Sequence, residues 1–207
     1  ARASDVPAVV GLRGLSEQLT EHDTLLIDGF EGVAIINPSE MTLFRYGKVG
    51  IQRKKIKDLL LEEASLPAET EDGFKLRLLA NADSPEEVTK GIENGCEGVG
   101  LFRTESIFLR KNTIPNEDQQ VEEYQKLITA SEGKPVTIRT LDLGGDKILD
   151  SIGREKEENP FMGFRAIRYC LRNPSIFLDQ LREILRVSAF GKVRIMFSMI
   201  SGEGELV

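Results

Sequence analysis

The sequence predicts an α/β fold built on a parallel sheet, and three observations carry that prediction. After Pro67, short apolar runs alternate without a break with amphipathic, charged stretches, the pattern of strand–helix units joined by right-handed crossovers. The helix boundaries are written in side-chain chemistry, most clearly at Ser84-Pro85-Glu86-Glu87. No dinucleotide-type glycine pattern follows the first strand of the series. Four such units leave two architectures open, an open doubly wound sheet or part of a (βα)₈ barrel. A full barrel takes about 250 residues and only about 140 follow Pro67, so a barrel would be present as half of one.

Each element has a local reason. The first forty residues read as β-rich, with a short strand at 8–11 and a pair at 25–27 and 33–36 around the turn Asp28-Gly29-Phe30-Glu31-Gly32. Asn37-Pro38 stops that sheet. Residues 40–65 turn helical and charged, with Ile56, Leu59 and Leu60 on one face and Lys54, Lys55, Lys57, Asp58, Glu62 and Glu63 on the other. They read as a connector helix between two modules, broken near Gly47 and Gly50. Residues 76–81 form a strand. The next helix is capped by Ser84, opened by Pro85 and boxed by Glu87; it buries Val88 and Ile92 and ends at Gly95. Residues 98–102 form the second strand. A helix over 117–131 turns Val121, Tyr124, Leu127 and Ile128 inward and ends at Gly133. Residues 136–139 are the third strand. Helices at 160–172 and 175–189 are split by Pro174, and 192–199 is the fourth strand.

Composition narrows the function classes. Apolar residues at 40% and charged residues at 29% make a globular mixture rather than a disordered one. Lys plus Arg total 27 against 34 Asp plus Glu, a formal charge of −7 that argues against a nucleic-acid partner. Arg53-Lys54-Lys55 is accordingly read as part of a solvated helix face. No apolar run reaches membrane-span length, and no secretory signal opens the chain. Cys96 and Cys170 have neither metal nor disulfide spacing, which suits a reducing cytoplasm. The single histidine, His22, sits in a polar turn with no acid or nucleophile beside it and reads as a surface residue.

In strand–helix folds, ligands bind at the carboxyl ends of the strands. Arg103 and Arg139 stand there in matching context, each after an apolar strand residue and before a threonine. Guanidinium forks match phosphate or carboxylate in two-point contact, which lysine cannot do. Two readings stay open: a pair of forks converging on an anion, or two structural ion pairs with Glu105 and Asp142. Beyond Asp142, Gly144-Gly145-Asp146-Lys147 is a loop where backbone can approach a ligand. Residues 158–165 open the next helix and bring Asn159 and a third arginine, Arg165, toward the same rim.

At this point the segments GVGLFRTE (98–105), TIRTLDLGGDK (137–147), ENPFMGFRAIR (158–168), QLREILRVSAFGKVRIMF (180–197) and VPAVVG (6–11) resemble the phosphoenolpyruvate-utilising enzymes. The likeness runs in order along the chain. Within that class the segments look like the phosphoenolpyruvate–protein phosphotransferases, enzyme I of the bacterial sugar phosphotransferase system. Pyruvate phosphate dikinase and phosphoenolpyruvate synthase share the arginine-bearing segments and form the alternative within the class; a non-catalytic anion-binding module is the alternative outside it. The stretch Ile114-Pro115-Asn116-Glu117-Asp118-Gln119-Gln120 before a helix looks closer to enzyme I.

The resemblance implies a first half-barrel at 67–207, a helical connector at 41–66 and, at 1–40, the end of a swivelling phosphohistidine domain. It implies that Arg103, Arg139 and Arg165 bind phosphoenolpyruvate, with Glu105, Asp142, Lys147 and Asn159 placed to support them. The family passes the phosphoryl group to its own histidine, then to a histidine-containing carrier protein for sugar uptake, and works as a homodimer with Mg²⁺. The family's phosphorylated histidine belongs to a Gly-Gly-x-Thr-Ser-His motif expected upstream of Ala1. Its metal ligands and its proton-donating cysteine are expected beyond Val207. His22, Cys96 and Cys170 match none of these, so the segment is expected to hold no catalytic residue and to be inactive alone.

Overall fold

The computed structural model describes residues 6–64, 66–109, 115–143, 159 and 162–206. The chain divides into two compact units, Ala1–Ser65 and Leu66–Val207.

The first unit holds a one-turn helix α1 (Leu15–Gln18), a hairpin of β1 (Leu25–Asp28) and β2 (Val33–Ile36), and the long helix α2 (Glu40–Glu63). The hairpin pairs as expected, antiparallel from Leu25 opposite Ile36 to Asp28 opposite Val33. Asp28 organises its turn: one carboxylate oxygen accepts the N–H groups of Phe30 and Glu31, and Gly32 takes the left-handed conformation at φ 67°. Asn37 ends the hairpin by bonding back to Thr24 and Asp23. The strand expected at 8–11 does not form. Gly11 turns the backbone at φ 80° and Val10 is 91% exposed, so the run neither joins a ladder nor buries its side chains.

One expectation for α2 also needs correction. The helix runs unbroken for 24 residues through Gly47 and Gly50, starting from a Ser39 cap on the Thr42 N–H. A glycine costs about 1 kcal/mol in a helix but removes no hydrogen bond, so it weakens a helix without cutting it. On its apolar face Leu59 and Leu60 are each 61% exposed. From the basic run, Arg53 reaches Asp28 at 3.0 Å and Glu31 at 3.4 Å and lies over the Phe30 ring. That contact holds the Asp28 carboxyl below the usual carboxylate range.

The second unit is the α/β one. Its elements are β3 (Ala80–Ala82), α3 (Pro85–Glu93), β4 (Val99–Phe102), α4 (Glu105–Leu109), α5 (Glu117–Ala130), β5 (Val136–Arg139), α6 (Ile167–Arg172), α7 (Pro174–Val187) and β6 (Val193–Met196). The four strands lie in the order β3-β4-β5-β6, all parallel, with no reversal. Helices α3, α5 and α7 pack beside one another, and Val88, Ile92, Tyr124, Leu127, Ile128, Ile184 and Val187 bury against Val99, Phe102, Val136 and Ile138. On β6 the opposite residues, Arg194 and Met196, are exposed.

Local chemistry explains the boundaries. At α3, Ser84 accepts the Glu87 N–H, but the Glu87 carboxylate closes on the Asp83 N–H, one residue ahead of a standard box. The helix stops at a Schellman turn: Gly95, at φ 86°, donates to Ile92 and Cys96 donates to Gly91. Cys96 therefore follows the helix rather than lying in it. Helix α5 has a complete Asn116–Gln119 capping box. Two predicted bounds shift and one helix is new. The strand expected at 76–81 begins at Ala80, after a single bond from the Glu97 N–H to the Leu78 carbonyl; Leu76 instead bonds back to Ala68 and Lys75 bridges Glu69. The helix expected from 160 begins at Ile167, after Ala166 at φ 52° breaks the α conformation. Helix α4 was not expected; its five residues are too few to show a period. Among the described residues no helix is long and apolar enough to cross a membrane.

Candidate functional site

The parallel register sets the site. Phe102 pairs with Ile138, and Arg103 and Arg139 each stand one residue beyond that row. Two neighbouring strands thus deliver their guanidinium groups to the same edge of the sheet. The threonine after each arginine has a structural task. Thr104 donates its hydroxyl to the Arg139 carbonyl at 3.0 Å, and the Thr140 N–H donates to the Met196 carbonyl at 2.9 Å. The repeated Arg-Thr pair is therefore a stitch from one strand end to the next. Both threonines are fully buried.

The arginines are held by carboxylates. Arg139 Nη2 meets Glu105 Oε1 at 2.5 Å, while its Nη1 meets Asp142 Oδ2 at 3.1 Å. Arg165 places Nη2 and Nε at 2.8 and 2.9 Å from Asp142 Oδ1. Ser198, after β6, donates to Asp142 Oδ2 at 3.2 Å. Asp142 is thus the joint on which two arginines and a hydroxyl converge, and it is buried. Arg103 is looser, 3.7 Å from Asp83 and with its side chain 43% exposed, against 18% for Arg139. The ion-pair reading is therefore realised in part: Glu105 and Asp142 do pair, but both with Arg139, and neither with Arg103.

Pairing does not exhaust the donors. The Nε groups of Arg103 and Arg139 are buried and have no hydrogen-bond partner. An unpaired buried N–H costs about 1–3 kcal/mol. Guanidinium carries five donors, so Arg139 can hold two carboxylates and still present N–H groups.

Of the other expected residues, Arg165 lies in the turn before α6 rather than inside a helix. Asn159 is exposed and bonded by none of the three arginines; its carbonyl accepts the Met162 N–H. Lys147 and the Gly144-Gly145 loop lie outside the described residues. His22 is exposed in its turn. Cys170 is buried in α6 beside the Leu141 carbonyl, and its thiol is pushed up to about 12 by burial and by the nearby Asp142 charge, so it stays protonated and inert. Among the described residues no three His, Cys, Asp or Glu side chains gather as a metal site would require.

Sequence reasoning missed Asp83, Ser198, Thr104 and Gln180 as parts of this rim. Gln180 had a usable signal, since it occupies an inward position of α7 in line with Ile184 and Val187, where an amide must find buried partners. Ser198 had none.

Comparison with known proteins bears on this geometry. Residues 57–207 match the family described as PEP-utilising enzyme, PEP-binding domain, PEP being phosphoenolpyruvate. The chain is 41% identical over 201 residues to phosphoenolpyruvate-protein phosphotransferase of Staphylococcus carnosus (strain TM300), covering 97% of this chain and 35% of that protein. It is 41% identical over 204 residues to the protein of that name from Geobacillus stearothermophilus, and 40% over 201 residues to that from Priestia megaterium, with the same coverage. The chain thus spans about a third of the length of these relatives, 35% in each. With its parallel strands, its rim of arginines and a match over most of its length, the chain belongs to the phosphoenolpyruvate-utilising enzymes, its residues 57–207 matching their phosphoenolpyruvate-binding domain.

Proposed function

We propose that Arg103, Arg139 and Arg165 form the phosphate-holding wall of a phosphoenolpyruvate site, and that this chain is the part of a phosphoenolpyruvate–protein phosphotransferase that supplies it. One observation carries the reading: two arginines one residue beyond a paired row of adjacent parallel strands, each with a buried Nε donor lacking a partner. The unreversed strand order and the helices packed side by side support residues 67–207 as the first half of a (βα)₈ barrel. The names carried by the relatives support the phosphotransferase branch over a dikinase or synthase.

In this reading the chain binds and orients. Asp142 and Glu105 fix the guanidinium planes before ligand arrives, so no reorganisation is needed when charge shifts on the phosphoryl oxygens. Arg139 is the anchor and the more exposed Arg103 is the adjustable arm. The described residues do not fit a magnesium site, since the rim carboxylates are already paired to guanidinium. The phosphoryl acceptor is a histidine outside this chain, and a histidine-containing carrier protein and a homodimeric whole protein follow from the same branch.

The test is Arg139→Lys in the full-length phosphotransferase carrying these residues. Lysine cannot span Glu105, Asp142 and a phosphate at once. Losing a charge-assisted bond of about 1.5–3 kcal/mol lowers kcat/KM for phosphoenolpyruvate roughly ten- to a hundredfold. Wild-type kinetics would remove Arg139 from the site.

A further inference from the structure

Behind the arginines lies a buried amide whose bonds reach both arginine-bearing loops. Gln180, on α7, is 1% exposed. Its Oε1 accepts the Leu141 N–H at 2.9 Å, between Arg139 and Asp142 in sequence. Its Nε2 donates to Thr104 Oγ1 at 3.3 Å and to the Tyr124 hydroxyl oxygen at 3.2 Å. Thr104 follows Arg103 and passes its own proton to the Arg139 carbonyl at 3.0 Å. The bond directions are fixed by this chain. Because Thr104 gives its proton away, it can only accept from Gln180; because the Leu141 N–H needs an acceptor, the amide oxygen must face it. A primary amide meets both demands from one side chain without carrying charge.

We infer that Gln180 is a positioning residue for the phosphoenolpyruvate site, locking the Arg103-Thr104 and Arg139-Thr140-Leu141-Asp142 turns into one spacing. It touches no ligand. It sets the distance between the two forks through Thr104 on one side and Leu141 on the other. The inference rests on the arginines being the phosphate-binding groups, as proposed above. A bidentate site pays heavily for small displacements, because each N–H must meet its oxygen in line.

The test uses three substitutions in the full-length phosphotransferase. Gln180→Leu removes the amide at similar volume and leaves the Leu141 N–H unpaired. Thr104→Val removes the hydroxyl between the two loops. Tyr124→Phe removes the third partner of Gln180, which leads to neither arginine. Gln180→Leu and Thr104→Val are expected to raise KM for phosphoenolpyruvate by roughly tenfold. Their double variant is expected to do little more than either alone, as for residues acting through one path. Tyr124→Phe is expected to lower thermal stability and leave KM within twofold. Should Gln180→Leu fail to fold, Thr104→Val against Tyr124→Phe still decides the matter. A general structural role predicts that all three variants lose stability with KM unmoved, and that result overturns the inference. Arg139→Lys run alongside separates the two claims. If it weakens phosphoenolpyruvate binding while the Gln180 and Thr104 variants do not, the positioning role fails and the arginine site stands. If Arg139→Lys has no effect either, the site itself fails.

Discussion

At the scale of single residues, Gly98 is a tightly constrained backbone position at the start of β4, the end of the sheet opposite the arginines. Its φ is 155°, and a Cβ there would stand 2.5 Å from the Pro135 carbonyl oxygen. That same oxygen accepts the Val99 N–H at 2.8 Å, while the Gly98 carbonyl accepts the Ala80 N–H at 2.9 Å. The starts of β3, β4 and β5 are therefore pinned around one glycine. Gly98→Ala must push β4 from β5, and a clash with backbone finds no flexible side chain to yield. A loss of about 1–3 kcal/mol in urea unfolding is expected; a change smaller than ~0.5 kcal/mol would show that the strands absorb the methyl group. The same residue-level logic separates the arginines. Arg139 is held by carboxylates on two sides, whereas Arg103 has one distant acid, so substitutions at Arg139 disturb the rim more broadly.

At the scale of elements, the α5–α7 interface carries an unusual buried acid. Glu183 on α7 is fully buried, and both its carboxylate oxygens lack hydrogen-bond partners. Burial pushes its carboxyl up to about 8, with Asp179 and Glu117 adding to the effect and Arg186 opposing it. The unfolded chain releases that proton at the ordinary carboxylate pKa, near 4.5. Between those values the folded state binds a proton that the unfolded state has lost. The stability contributed by neutral Glu183 is thus fully present below about 4.5 and declines until about 8, by at most about 1.4 kcal/mol per pH unit. Glu183→Gln keeps the neutral shape and is expected to flatten that decline. Denaturation curves at pH 5, 6.5 and 8 with the same slope in both proteins would refute it.

Elements were legible in the sequence where their signals are local. Ser84-Pro85 opens α3 and Gly95 closes it because capping is settled within four residues of the helix end. The inward face of α5 followed from a period that spans four turns. Glycine was overread in α2, where it lowers propensity but breaks no hydrogen bond. The two strand-end arginines stood out through their repeated context, but the reason for the threonines did not. The Gln180 contacts cross 39 and 76 residues of sequence, and the Ser198 contact crosses 56. Such partners are chosen by the sheet register, and no local pattern announces it.

At the scale of the whole molecule, the four-stranded sheet lines up β3 to β6 with the arginines on its two inner strands. The proposed reaction needs a phosphoryl acceptor and a proton donor, and neither is formed by the described residues: His22 is exposed in a turn and Cys170 is buried as a neutral thiol. These residues alone, incubated with phosphoenolpyruvate, Mg²⁺ and a histidine-containing carrier protein, are therefore expected to transfer no phosphoryl group. Labelled phosphate appearing on the carrier would sink that expectation.

The pairing at the rim has a kinetic consequence. Among the described residues there, three guanidinium groups face the carboxylates of Asp83, Glu105 and Asp142, so their charges cancel. The chain around them carries a formal charge of −7. The described rim residues, balanced in charge, exert little long-range pull of their own on an anion and give electrostatic steering little to act on. Capture then depends on aligned N–H groups at contact distance, and added salt, which screens fields over about 10 Å at 0.1 M, has little attraction to take away.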